Sequence, residues 1–489
     1  MTPLTLAALD GVPPESRPLV RPGDARAGIV HLGLGAFHRA HQAVYTEQAI
    51  AERGGDWGIV AVAPRNAEVV RQLREQDLLF SVTSRAAAGS RTAVVGSLAG
   101  VRHAAGDPGA VVDLLADPAI KIVTLTVTEK AYQLDPATGR ARPDEALTAD
   151  LTTDRPPATV PGLLVRGLLA RARADAGPIA LVSCDNLPSN GRLLRGLVAD
   201  AVALAGAGGE WVDANVSFPA TMVDRIVPAT TPETLAEAER ALGVADLAAV
   251  AAEPYRQWVI ADEFPAGRPA WDAAGAVLTD DVGAWERLKL RTLNGVHSAL
   301  AYLGALAGCE TIAEALALPG MRALLTRLIV DEIAASFSPP AGTTVAGYGE
   351  SVLDRFANPA IGHRTLQVAM DGTQKLPQRV LAVVADLRAA GREPRLSALV
   401  LAAWMRFARG RADDGRELPL DDPMAGEIRA ALGGAPDTPA GTCAALLGLT
   451  AVFPADLAAD EAVRAPVRDW LADLGAHGAR AVVAASSPT

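Results

Sequence analysis

The sequence predicts an α/β protein in two parts, a doubly wound parallel sheet over residues 1–283 and a mostly α-helical part over residues 284–489. Three observations predict it. A β-branched apolar run near the amino terminus ends in glycines, strand-like and helix-like segments alternate behind it, and from about Ala284 the pattern changes to long Ala/Leu-rich stretches with helical spacing. A length of 489 residues, at about 100 to 200 residues per domain, fits two or three domains.

Taken in order, Gly28 to Gly35 (GIVHLGLG) reads as a buried strand and glycine turn, and Ala36 to Arg53 as the helix that continues from it. Trp57 to Ala63 (WGIVAVA) reads as a second strand, followed by a helix around Glu68 to Gln76. Strand, glycine turn, helix and strand within about 40 residues is the opening of a doubly wound sheet. Lys121 to Val127 and Ile179 to Cys184 are further buried strands, each followed by polar residues, and ligands of such sheets bind beyond the carboxyl ends of the strands. Leu290 to Leu306, Met321 to Ser336 and Leu396 to Arg409 are the clearest helices of the second part, where few strands are expected. The closing residues SSPT are expected to fray.

Composition narrows the function. With 50% apolar and 21% charged residues the chain is of the soluble globular class. A net charge of −11, with no cluster of Lys or Arg, excludes nucleic acid as an expected partner. Cys184, Cys309 and Cys443 lie far apart, which gives neither a disulfide framework nor a paired zinc motif and suits a reducing, cytoplasmic compartment. The amino terminus lacks the basic and long apolar regions of a secretory signal. Two uncharged stretches, Thr292 to Cys309 and Thr438 to Ala455, are interrupted by polar residues, glycines or prolines and read as buried segments, so no membrane association is expected. Of the 45 cationic residues only Lys121, Lys130, Lys289 and Lys375 are lysine, the residue retained where an amine must lose its proton.

GLGAFHRAHQ (Gly33 to Gln42) supplies two glycines of a dinucleotide fingerprint at a strand-to-helix junction, which makes the amino-terminal sheet Rossmann-like. Gly33 would permit the tight turn and Gly35 the approach of a pyrophosphate to backbone N–H groups. His38 stands where a third glycine is usual, and a purely structural turn is the alternative use of the loop. No carboxylate or cysteine accompanies His38 and His41, so no metal is expected. The end of the second strand carries Pro64, Arg65 and Asn66 rather than an acid for the ribose, and Arg65 would contact a 2′-phosphate, stack on adenine or simply face solvent.

Trp285 to Gly304 (WERLKLRTLNGVHSALAYLG) is the richest segment. At about 100° per residue from Lys289, Glu286 falls near about 60°, His297 near about 80° and Asn294 near about 140°, on one face of an otherwise apolar helix. A desolvated lysine can act as general base on a hydroxyl, Asn294 and His297 can donate hydrogen bonds to an alkoxide as hydride leaves, and Glu286 can pass the proton to water. A satisfied structural cluster is the other reading of such a face. No Tyr is followed four residues later by Lys, and no cysteine set could hold a catalytic zinc.

Together these segments resemble the mannitol dehydrogenase family of zinc-independent polyol and hexuronate oxidoreductases, in a consistent order over almost the whole chain. GLGAFHRAHQ is similar to the family's cofactor loop, which implies cofactor contacts at Gly33, Gly35, Ala36, Phe37 and His38, with Arg65 beyond them. TVTEKAY (Thr126 to Tyr132) is similar to its second cofactor-side segment, implying Thr128, Glu129 and Lys130. VSCDNLPSNG (Val182 to Gly191), VSFPATMVDRIVP (Val216 to Pro228) and KLRTLNGVH (Lys289 to His297) resemble its remaining motifs. The resemblance implies that Lys289 is the general acid/base, that Asn186 and Asn294 form the oxyanion site, that His297 orients substrate and Lys289, that Asp224 binds a substrate hydroxyl and that Lys375 lines the far side of the pocket. A structural Asp224/Arg225 pair is the competing use of that motif.

Asn358 to Arg379 (NPAIGHRTLQVAMDGTQKLPQR) bears on the substrate. Gln367 stands eight residues before Lys375, where the mannitol 2-dehydrogenases carry Arg, and the stretch looks more like the fructuronate reductases. His363, Arg364, Lys375 and Arg379 offer cations that could hold a hexuronate carboxylate, although Arg364 and Arg379 also read as surface residues. The resemblance therefore implies an NAD-dependent reductase of D-fructuronate to D-mannonate, with NADP left open. A polyol 2-dehydrogenase acting on mannitol or arabinitol is the alternative, and a silent dinucleotide-binding sensor is the rival from another class. A monomer or small homo-oligomer is expected.

Overall fold

The computed structural model describes residues 2–135 and 139–486. Of the closing SSPT, residues 487–489 lie outside the described residues. The chain divides into two compact units, Met1–Val282 and Gly283–Thr489.

Among the described residues the first unit carries twelve strands: β1 (Ala27–Leu32), β2 (Gly58–Ala63), β3 (Phe80–Ala86), β4 (Gly89–Val95), β5 (Leu98–His103), β6 (Ile122–Leu125), β7 (Ile179–Ser183), β8 (Val216–Ser217), β9 (Thr221–Asp224), β10 (Val250–Ala252), β11 (Gln257–Ala261) and β12 (Val277–Thr279). The main sheet runs β5-β2-β1-β6-β7-β8 with every neighbouring pair parallel. The chain builds outward from β1 on one side through β2 and β5, then on the other through β6, β7 and β8. Strand order therefore reverses beside β1, and in sheets of this kind ligands bind at the carboxyl ends beside such a reversal.

The two faces of the sheet follow from the period-2 alternation of side chains. Ile29, Ala61, Ile122, Ala180 and Val182 join one core cluster with Trp258 and Trp271. Val30, Leu32, Val62, Val123, Leu125 and Leu181 join the other. Both faces are covered, which is why these strands read as unbroken apolar runs rather than alternating ones. Two three-stranded sheets, β10-β3-β4 and β12-β11-β9, complete the unit.

Two expectations need correction here. The helix expected over Ala36 to Arg53 is two helices, Ala36–Ala40 and Gln42–Arg53, broken at His41 (φ −126°, ψ −88°). The His41 ring is committed elsewhere, with Nε2 3.0 Å from the Gln257 carbonyl and the ring stacked on Phe37. The strand expected to reach Val127 stops at Leu125 because the Val127 and Thr128 N–H groups donate to the Asp185 carboxylate at 3.0 and 2.9 Å instead of to a neighbouring strand.

The second unit is helical, and among its described residues three segments widen into π turns at Lys289–Asn294, Leu328–Ile333 and Pro377–Leu381. A π turn adds a residue to the turn and is invisible to a search for 3.6-residue periodicity. The regular helix expected over Leu290 to Leu306 is thus a π turn leading into the α-helix Gly295–Leu306, in which every residue is buried. Gly295 is needed at the junction, since a Cβ there would stand 3.0 Å from the Arg379 carbonyl. The helix Arg395–Ala408 receives its cap from a distant acid: Glu332, in the second π turn, accepts from the N–H groups of Leu396 and Ser397 at 2.6 and 2.8 Å. Among the described residues no helix is long and apolar enough to cross a membrane.

Candidate active site

In the first unit the glycine loop follows β1 directly. Gly33 has φ +112°, and a Cβ would stand 2.1 Å from the Thr126 carbonyl, so only glycine fits. Beside Gly35 a Cβ would meet nothing nearer than 3.7 Å, which leaves the loop open to a ligand, and Ala36 and Phe37 begin the helix behind it. His38, in the place of a third glycine, lies flat on His31 of β1 with ring centroids 3.4 Å apart. His31 is bound in turn to Thr124 Oγ1 at 2.8 Å and to Thr126 Oγ1 at 2.9 Å. Burial pushes His31 and His41 down to about 3 and holds His38 well below its ordinary value, so these imidazoles are neutral at physiological pH. Arg39, which sequence reasoning passed over, is buried and donates to the carbonyls of Gly35 and Ala248, fastening the loop from behind.

Arg65 is exposed at the turn after β2, with His103 Nε2 3.2 Å from its carbonyl oxygen. Its neighbour Asn66 caps the helix Ala67–Glu75. Thr128 (φ +74°), Glu129 and Lys130 are exposed on a turn beyond β6. Asp185 organises that turn: besides the two backbone donors, it accepts from the Tyr132 hydroxyl at 2.7 Å. Asn186 follows Asp185 and is exposed. Asn190, the other asparagine of this motif, ties β7 to β9 by donating to the Ser183 and Thr221 carbonyls. Asp224 is buried at the end of β9, and the Arg225 guanidinium donates to Glu253 and Ala40 carbonyls and to Ser84 Oγ. A polar residue inside a recognised motif was the available signal for Arg39, Asp185 and Asn190.

In the second unit Lys289 opens the first π turn, Asn294 closes it and His297 lies in the following helical turn; they are 8, 7 and 8% exposed. Glu286 lies half-buried in the helix Val282–Leu288 just before them. Asn294 Nδ2 and His297 Nε2 are buried without a hydrogen-bond partner. The His297 ring stacks on Phe356 at 4.5 Å and meets the His363 ring edge to face at 4.8 Å. Burial holds His297 well below its ordinary value, and His363, Arg379, Lys375 and Arg355 add to the effect. Lys375 Nζ donates to the Met370 carbonyl at 2.5 Å and lies 3.8 Å from Asp371; burial and then Arg379 lower its pKa. Arg379, lowered to about 10 by burial and still charged, donates to Ser298 Oγ at 3.2 Å.

The expected cation set divides. Lys375 and Arg379 gather about His297, but Arg364 is exposed and turned to Glu310 at 4.0 Å. His363 joins the cluster without being the cation expected of it, because burial and the adjacent Lys375 lower its pKa and leave a neutral ring. Arg355 and Phe356, adjacent on the helix Val345–Phe356, reach His297 from a segment that carries no motif. Among the described residues no group of three or more His, Cys, Asp or Glu side chains is placed to hold a metal ion.

The chain as a whole has relatives among known proteins. Residues 27–273 match the mannitol dehydrogenase Rossmann domain and residues 281–474 the mannitol dehydrogenase C-terminal domain. The chain is 41% identical to a D-mannonate oxidoreductase of Escherichia coli, over 96% of this chain and 98% of that protein. It is 38% identical to a mannitol 2-dehydrogenase of Cereibacter sphaeroides over the same shares of the two chains, 96% and 98%. A solved mannitol 2-dehydrogenase of Pseudomonas fluorescens, in ternary complex with NAD and D-mannitol, superposes with a TM-score of 0.84 at 32% identity, covering 99% of each chain. With both domains matched in order and similarity running nearly end to end, the chain belongs to the mannitol dehydrogenase family of oxidoreductases.

Proposed function

We propose that this oxidoreductase interconverts D-fructuronate and D-mannonate with NAD, using Lys289 as acid/base and no metal. The observation that carries the substrate is the pair of half-buried cations Lys375 and Arg379, one turn apart beside His297. A charge-assisted bond from a guanidinium suits a carboxylate, and a neutral polyol has no use for one. The 41% identity to a D-mannonate oxidoreductase supports the same reading.

The open loop at Gly35 and the close approach enforced at Gly33 fit a dinucleotide, whose pyrophosphate would lie over Gly33 and Gly35 against the N–H groups of Ala36 and Phe37, with His38 backing the loop and Arg65, Thr128, Glu129 and Lys130 as its further contacts. A nicotinamide cofactor held there would supply or accept the hydride. In the reductive direction Lys289 gives its ammonium proton to the substrate oxygen as negative charge grows there, and Glu286 relays a proton between Lys289 and water. Asn294 Nδ2, which has no partner of its own, donates to the oxyanion, and Asn186 is assigned the companion donor. His297 orients substrate, Asp224 takes a hydroxyl, and His363, Lys375 and Arg379 form the carboxylate end, with Arg364 outside it. A cytoplasmic location, consistent with three free buried cysteines, belongs to this proposal.

A polyol 2-dehydrogenase is the second reading, favoured by the engagement of Lys375 with the Met370 carbonyl and Asp371. Oxidation of NADH by the purified protein with D-fructuronate and D-fructose side by side, repeated with NADPH, separates the two. Turnover confined to fructuronate supports the hexuronate reading; preference for fructose replaces it with the second.

A further inference from the structure

The imidazoles of His297 and His363 meet edge to face at 4.8 Å, and each keeps a buried ring nitrogen without a hydrogen-bond partner: Nε2 on His297 and Nδ1 on His363. Leaving such an atom unsatisfied costs about 1 to 3 kcal/mol, so two in contact, with Asn294 Nδ2 a third on the same helical segment, mark where a polar ligand completes the structure.

The charge that acts on His363 is a cation. Lys375 faces it from the helix Gly372–Leu376. His297, in the helix Gly295–Leu306, is itself surrounded by Arg379 from the third π turn and Arg355 from the helix Val345–Phe356. On the segment that carries His363, Arg364 is turned to Glu310. Acids act on that lysine in turn: Asp371, 3.8 Å from Lys375, with Asp422 and Asp421. Burial and the Lys375 ammonium keep the His363 imidazole neutral, and an arriving carboxylate opposes that field.

We propose that His363 reads the charge of the substrate: it is neutral in the free protein and binds one proton from solvent as a substrate carboxylate enters beside Lys375 and Arg379. The inference rests on the hexuronate reading above and deepens it. The proton taken up stays on His363 as the counter-ion of the carboxylate; no substrate bond changes, and the proton used in reduction comes separately from Lys289. A neutral ketose brings no counter-charge and leaves His363 unprotonated. Discrimination in favour of the acid therefore strengthens as pH falls.

The test is the ratio of kcat/KM for D-fructuronate to that for D-fructose, measured with NADH from about pH 6 to about pH 8.5, since acid/base steps common to both substrates cancel in the ratio. The ratio should rise toward low pH, with a slope approaching tenfold per pH unit between the free and bound titration points of His363. In His363→Asn it should be flat. Titration of D-mannonate into the protein–NADH complex, which cannot oxidise it, should take up close to one proton when followed calorimetrically in two buffers of different ionisation heat, and this readout stands even if the variant does not fold. A flat ratio in the unmodified protein, with fructuronate still turned over, or binding without proton uptake, overturns the proposal and leaves the substrate reading intact. No turnover of fructuronate overturns both.

Discussion

His31 and His38 stack with ring centroids 3.4 Å apart and planes 10° from parallel, so the place where a dinucleotide loop usually carries its third glycine is filled by a flat ring lying on another flat ring. Close packing of helix on strand, which a glycine secures by having no side chain, is secured here by stacking.

That arrangement has an acid limit. His31 and His41 have folded-state values of about 3 against about 6.5 unfolded, so the unfolded chain binds more protons between those limits and stability falls as pH drops through them. The slope per histidine is at most about 1.4 kcal/mol per pH unit. The urea midpoint of the protein should be clearly lower at pH 5 than at pH 7.5. His38→Phe, which keeps a ring and removes a titrating group, should lessen the difference; an unchanged pH dependence in that variant would show that His38 does not contribute.

Lys289→Ala should lower kcat by about a hundredfold or more, the usual scale of general acid/base catalysis, while NADH affinity measured by fluorescence stays within about twofold. Survival of activity within about tenfold, only ~1.4 kcal/mol in the barrier, would sink the acid/base assignment.

How much of this was legible in the sequence depended on the kind of signal. Strands buried on both faces announce themselves as continuous apolar runs, and β1, β2, β6 and β7 do so. Lys289, Asn294 and His297 were visible as rare polar residues in an apolar stretch, but the angles assigned to them assumed 3.6 residues per turn and the first π turn invalidates them. A one-residue widening leaves no compositional trace. Phe356 was illegible because its contact with His297 spans 59 positions and depends on tertiary packing alone. The neutrality of His363 was illegible for the same reason, since it comes from burial beside Lys375, twelve residues on.

Arg379 stands on the third π turn with Nη1 3.2 Å from Ser298 Oγ, next to His297 in sequence. Arg379→Met keeps much of the side-chain volume and removes the charge. A hydrogen bond to a charged group is worth about 1.5 to 3 kcal/mol, so KM for D-fructuronate should rise by about ten- to a hundredfold, with fructose affected little. Equal losses on both substrates would make Arg379 a packing residue of this helix pair.

Asp185 tests whether the turn beyond β6 serves the cofactor. Its carboxylate gathers the Val127 and Thr128 N–H groups and the Tyr132 hydroxyl, and Thr128 is held at φ +74°, a conformation a threonine adopts only under constraint. Asp185→Ala removes all three acceptor contacts together; the Tyr132 hydroxyl keeps Ser183 Oγ at 2.7 Å, while the half-buried Val127 N–H loses its partner at a cost of about 1 to 3 kcal/mol before water enters. Because Asp185 is tied to the strand end rather than to the main cores, the protein should fold with a lower urea midpoint and bind NADH at least about tenfold more weakly, as Thr128 relaxes out of its strained conformation. Asp185→Asn, which keeps one acceptor oxygen, should fall between the two. Unchanged NADH affinity in both variants, with the midpoint lowered, would assign Asp185 to stability alone and remove Thr128, Glu129 and Lys130 from the cofactor contacts.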